Sequence, residues 1–120
     1  MSEAVENLKQ RVVDALEDMK AVDLTVLDVR GKSSVTDYMV VVSGTSSRHV
    51  KAMADNVVME TKKAGTPPLG VEGDQQGDWV LVDLGDVIAH IMMPETRAFY
   101  QLEKFWSDLG SDENRSSQAG

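Results

Sequence analysis

The stretch GDWVLVDLGDVIAHIM, residues 77 to 92, constrains the fold more than any other part of the chain. Gly85-Asp86 separates two apolar, β-branched runs, and a glycine-first pair favours a two-residue hairpin turn. With that turn, Leu84 faces Val87, Val82 faces Ala89 and Val80 faces Ile91. Side chains alternate with period two along a strand, so these six share one side of the ribbon. The other side carries Trp79 opposite Met92, Leu81 opposite His90, and Asp83 opposite Ile88. The first side reads as core. The second mixes an indole, an imidazole and a carboxylate with apolar residues.

The flanking segments supply the rest of a layered structure. Val5, Leu8, Val12, Ala15, Leu16 and Met19 recur at three- and four-residue intervals and predict a first helix. Residues 23 to 29 and 37 to 43 read as strands separated by the polar turn Arg30-Gly31-Lys32-Ser33-Ser34. The second is apolar on both faces in its middle, which places it inside a sheet. After Gly44 the period changes: Thr45 or Ser46 can cap a helix whose stripe is Val50, Met53, Ala54, Val57, Val58 and Thr61. Lys62 and Lys63 suit its last turn and Gly65 its end. Leu69 to Glu72 reads as a short strand, and Pro94 opens a last helix that should bury Ala98, Phe99, Leu102, Phe105 and Trp106. The order is α-β-β-α-β-β-β-α, an α+β domain over residues 3 to 109 with a small mixed sheet flanked by helices. The tail SDENRSSQAG lacks any large apolar residue, so residues 110 to 120 are expected to be disordered.

Several chemistries can be weighed against these residues. The turn Gly44-Thr45-Ser46-Ser47-Arg48-His49 could offer backbone N–H groups to an anion, but it lacks the phosphate-binding lysine pattern and the three-glycine dinucleotide fingerprint. Metal-dependent nucleotidyl transfer needs paired carboxylates on a neighbouring strand. Asp83 and Asp86 are three apart, Asp86 sits in the turn, and Asp55 falls on a helix. His49 and His90 are the only histidines and show no helical metal-ligand spacing. The chain has no cysteine, which removes thiolate sites and disulfides and fits a reducing compartment. No catalytic residue, metal site or cofactor is therefore expected. The net charge of −8 argues against direct, sequence-specific grip on nucleic acid, which relies on clustered Lys and Arg. The N-terminus resembles neither a signal nor a transit peptide, and no apolar run is long enough for a membrane span, so the cytoplasm is the expected location.

The face with Trp79, Leu81, Asp83, Ile88, His90 and Met92 leaves two options. Helices cover it, or part of it is displayed. Burying Trp, Leu or Met gains roughly 1.5–3 kcal/mol each, which favours cover. Asp83 and His90 are costly to bury without partners, and their mixture with an indole matches the centre of a protein interface.

Six motifs stand in order along the chain: Asp28-Val29-Arg30, Thr36-Asp37-Tyr38, Ser43 to Val50, Gly70-Val71-Glu72-Gly73, Gly77-x-Trp79 through Val87, and Arg97-x-Phe99-Tyr100-x-Leu102-Glu103-x-x-Trp106. Their order and spacing resemble the ribosomal silencing factor (RsfS, Iojap-related) family. Ala89 departs from the pattern by being smaller than the branched residue expected there, and the polar tail is a local addition. The resemblance implies a nucleotidyltransferase-like fold without the catalytic carboxylates and a non-enzymatic role. It implies binding to the large ribosomal subunit through large-subunit ribosomal protein fourteen, steric blockage of small-subunit joining, and slowed translation when nutrients are short. Some members form homodimers. It points to Trp79, Leu81, Asp83 and His90 as the docking surface, with Asp37, Tyr38, Ser46, Arg48 and Glu72 as neighbours or supports. An acidic chain suits a basic ribosomal protein better than bare RNA. A large-subunit assembly factor using the same surface, and a metal-dependent nucleotidyltransferase, are the alternatives.

Overall fold

The computed structural model describes residues 3 to 100. Its elements are α1 (Glu3–Asp18), β1 (Val22–Asp28), β2 (Tyr38–Ser43), α2 (Ser47–Lys63), β3 (Gly70–Glu72), β4 (Trp79–Asp83), β5 (Val87–Met92) and α3 (Pro94–Tyr100). The expected order is reproduced, with strand ends shifted by a residue. The strands form one sheet in the order β1-β2-β5-β4-β3. Only the β2–β5 pair is parallel, so the sheet is mixed. That pair brings residues almost fifty positions apart into register, Val40 beside Ala89 and Val42 beside Ile91.

The β4–β5 hairpin has the register predicted from its turn, with Trp79 opposite Met92, Leu81 opposite His90 and Asp83 opposite Ile88. Gly85 takes φ +86°, and the chain reverses with the Asp86 N–H donating to the Leu84 carbonyl at 3.1 Å and the Leu84 N–H to the Val87 carbonyl at 2.9 Å. The Asp83 carboxylate accepts from the Gly85 N–H at 2.9 Å, so this acid pins the turn beside it. The Asp86 carbonyl accepts from the backbone N–H groups of both Asp37 and Tyr38, which fastens the start of β2 to the same turn.

Both long helices pack on one face. Val12, Ala15 and Leu16 of α1, with Val50, Met53, Ala54 and Val57 of α2, meet Val40, Val42, Val80, Val82, Val87, Ala89 and Ile91 of the sheet. The small Ala89 lies within this layer and is completely buried. Ser46 caps α2 by accepting from the His49 N–H at 3.1 Å, an interaction worth about 1 kcal/mol. At the other end, the Thr66 N–H reaches the Thr61 carbonyl and the Gly65 N–H the Lys62 carbonyl, satisfying carbonyls the helix leaves open. β1 is an edge strand with a bulge between Val22 and Thr25, where Asp23 takes φ +52°.

The opposite face carries Met39, Val41 and Met92, with Leu27 and Trp79 packed against them. It is not bare. α3 turns back so that Arg97 Nη1 donates to Ser43 Oγ at 3.0 Å and Nη2 to Thr25 Oγ1 at 3.2 Å. Ala98, expected to be buried, is exposed instead, because the helix aims its neighbour Arg97 at the sheet. The expected burial of Phe99, Leu102, Phe105 and Trp106, and the expected disorder of the tail, fall outside the described residues and side chains.

Candidate functional site

β4 and β5 place Trp79, Leu81, Asp83, Ile88, His90 and Met92 on the face away from α1 and α2. Burial divides them by strand. Ile88, His90 and Met92 lie on β5, the middle strand, and are buried, His90 at 6% exposure. Trp79, Leu81 and Asp83 lie on β4, one strand nearer the edge, and are half-buried. The displayed part is therefore the β4 side. Trp79 and Leu81 line a groove of ≈ 260 Å³ with Glu72 and Gly73 of the adjoining β3 segment. Glu72 sits directly opposite Leu81 and is exposed.

The awkward core histidine has a partner. The indole N–H of Trp79 donates to His90 Nδ1 at 3.0 Å, with the ring centroids 5.8 Å apart and the planes tilted by 48°. A ring nitrogen that accepts carries no proton, so His90 is neutral with its hydrogen on Nε2. Burial pushes its pKa down to about 4 from an ordinary 6.5, because the charged ring loses its water. Between these values the unfolded chain binds a proton that the folded chain refuses, so stability falls as pH drops from 6.5 toward 4. The full effect is about 3 kcal/mol. Urea unfolding of the wild type and His90→Asn across that range is expected to show this excess acid sensitivity in the wild type alone. Parallel pH profiles would refute it.

The remaining residues singled out by sequence fall in two other places. Tyr38 is on the α1 side of the sheet, and its hydroxyl donates to the Glu6 carboxylate. Its ring lies under Lys9 Nζ and the Arg30 guanidinium, at 4.9 and 5.1 Å. Arg30 forks onto Asp28 at 2.9 and 2.6 Å, holding that carboxyl down at about 2. The Tyr38 hydrogen bond lowers the Glu6 pKa in turn, with Lys9 helping. The family motifs Asp28-Val29-Arg30 and Thr36-Asp37-Tyr38 thus meet as one charged cluster that ties α1 to β1 and β2, on the face opposite Trp79. Asp37 is half-buried and works through its backbone, at the hairpin turn.

Ser46 and Arg48 are exposed at the start of α2, where Arg48 borders a depression with Ser47, Lys51, Ala52 and Asp55. The anion-binding alternative weakens there. Two of the N–H groups it would use are taken within the chain, His49's by Ser46 and Thr45's by His49 Nδ1 at 2.9 Å. His49 Nε2 donates to the Met19 carbonyl at 2.7 Å, which ties α2 to the end of α1. Among the described residues no three His, Asp or Glu side chains gather as a metal site, and no helix is long and apolar enough to cross a membrane.

Two residues of this face carried no separate signal in the sequence. A Cβ added to Gly73 would stand 2.1 Å from the Trp79 carbonyl oxygen, so only a glycine lets the β3–β4 loop lie against the tryptophan's backbone. Arg97 reaches two strands far from it in sequence. Gly73 is marked only as the last residue of the Gly70-Val71-Glu72-Gly73 motif, and Arg97 only by its place in the last motif.

Fold and site together define a small α+β protein whose second sheet face is partly covered and offers an open groove beside a tethered tryptophan. The model of the family described as "Ribosomal silencing factor during starvation" matches residues 2–119. The chain belongs to that family. It is 50% identical over 100 residues to the ribosomal silencing factor RsfS of Haemophilus influenzae, covering 83% of this chain and 98% of the other. It is 39% identical to the mouse protein named "Mitochondrial assembly of ribosomal large subunit protein 1", covering 80% of this chain and 43% of that one. A crystal structure of a Chromobacterium violaceum protein superposes with TM-score 0.85 at 39% identity, covering 89% of this chain and 88% of the other.

Proposed function

We propose that this protein is a non-enzymatic translational repressor that binds the large ribosomal subunit through large-subunit ribosomal protein fourteen. Occupying the joining face, it keeps the small subunit away and slows translation in the cytoplasm under nutrient limitation. The observation that carries this reading is the family match across nearly the whole chain. The half-buried Trp79 and Leu81 beside exposed Glu72 fit it, as an apolar anchor with an acidic rim suits a basic protein partner. The net charge of −8 favours that partner over bare RNA and speeds encounter.

The test is a subunit-joining assay with the full chain. Added to purified subunits, it should leave free subunits where controls form joined ribosomes, and it should pull down the isolated ribosomal protein. Normal joining at saturating protein would refute repression. Labelled nucleoside triphosphates with Mg²⁺ should remain unconsumed; turnover would favour the nucleotidyltransferase alternative. The name of the mouse relative favours a second reading, assembly of the large subunit through the same surface. Depletion would then accumulate large-subunit precursors, whereas a repressor acting on finished subunits leaves their maturation intact.

A further inference from the structure

His90 is placed in an unusual way for a residue on a binding face. It sits on the central strand and is almost fully buried, so its ring has little surface to give a partner. Trp79, diagonal to it on β4, leans across to reach it; diagonal neighbours in a sheet lie within range of an aromatic side chain. The contact fixes one end of the indole. With Nε1 turned inward to His90, what the ring offers the groove beside Glu72 and Leu81 is hydrocarbon.

We propose that His90 is a positioning residue, which sets the pose of the Trp79 indole through its Nδ1 acceptor and makes no contact with the partner itself. This rests on the docking role given above to the Trp79 groove. The tether matters because an interface anchor binds best when its rotamer is already chosen in the free protein. The same logic makes the tautomer part of the device. A proton on Nδ1 would face the indole N–H with another donor. Burial disfavours the doubly protonated ring, and the indole N–H selects the neutral tautomer whose Nδ1 is free to accept.

The wild-type protein provides a first test that needs no variant. In an imidazole ¹⁵N spectrum of the full chain at pH 7, His90 should show an unprotonated Nδ1 and a protonated Nε2. The reverse tautomer would overturn the proposal. Two substitutions then separate positioning from contact. His90→Asn keeps an acceptor oxygen near the Nδ1 position, and His90→Gln moves it out toward Nε2. The Asn variant should retain a protected Trp79 indole N–H and near wild-type affinity for purified large-subunit ribosomal protein fourteen. The Gln variant should lose the protection and bind about tenfold more weakly, the equivalent of one hydrogen bond's worth of lost preorganisation.

Two results would sink the positioning role. One is a Gln variant with an unprotected indole and unchanged affinity while Trp79→Ala binds weakly. The other is an Asn variant with a protected indole and affinity as poor as the Gln variant's, since the imidazole would then be touching the partner. Failure of the docking reading looks different. Wild type, Asn, Gln and Trp79→Ala would all bind this partner equally or not at all, while the indole signal still followed the residue at position 90.

Discussion

Trp79→Ala is expected to weaken the proposed binding to large-subunit ribosomal protein fourteen by at least about 30-fold while leaving the chain folded. Trp79 is the largest side chain in the groove formed with Glu72, Gly73 and Leu81, and it is half-buried before any partner arrives. Buried aromatic anchors near the centre of an interface commonly lose 2 kcal/mol or more on truncation, which is the quoted factor. The same change removes packing against Met39, Val41 and Met92 and leaves His90 Nδ1 without its donor. Full burial would make truncation cost 3–5 kcal/mol, so a half-buried indole should cost about 2 kcal/mol. A domain of ordinary stability, roughly 5–15 kcal/mol, survives that loss. Titration with the purified partner and a urea melt, run on one preparation, separate the two effects. Wild-type affinity in a folded variant would remove the groove from the docking surface. Cooperative unfolding lost altogether would make Trp79 a core residue first.

Gly73→Ala should be more damaging than its size implies. The new Cβ would lie 2.1 Å from the Trp79 carbonyl oxygen and 3.2 Å from its carbon, both backbone atoms that cannot rotate away. Gly73 also holds φ +84°, a region that penalises any L side chain by about 1–2 kcal/mol. Forced overpacking adds about 1–3 kcal/mol, so a loss near 3 kcal/mol is expected. The strain has one exit. β3 pairs through only three residues at the sheet edge, so it should peel away from β4 and take Glu72 out of the groove. Gly70→Ala is the matched control, because a Cβ there meets nothing within 4 Å. Chemical denaturation of both variants decides it: equal stabilities would show that the close approach at Gly73 relaxes freely. Partner affinity should fall with Gly73→Ala and hold with Gly70→Ala.

The legible and illegible parts of the site divide along one line. Trp79 and His90 could be placed on one face because a two-residue turn fixes the register of the whole hairpin. Their hydrogen bond could not be read, since it depends on how far an indole leans across the pleat. Tyr38 shows the same boundary. Its motif marked it as important, but period two alone does not say which side of β2 faces the helices, and it lies with Glu6, Lys9 and Arg30 rather than with Trp79. Ser46 was legible as a helix cap, because capping is decided within four residues.

By itself the sequence determined the elements, both helix stripes, the hairpin register, and the shortage of paired acids and thiols. Each of these is set by spacing along the chain, where geometry repeats every 2 or 3.6 residues. Only the tertiary structure decided that β5 runs parallel to β2, that His90 is enclosed while Trp79 stays half open, and that Arg97 crosses to β1 and β2. Those outcomes depend on contacts between residues distant in the chain, whose distances and side-chain poses are fixed only when the layers pack against one another.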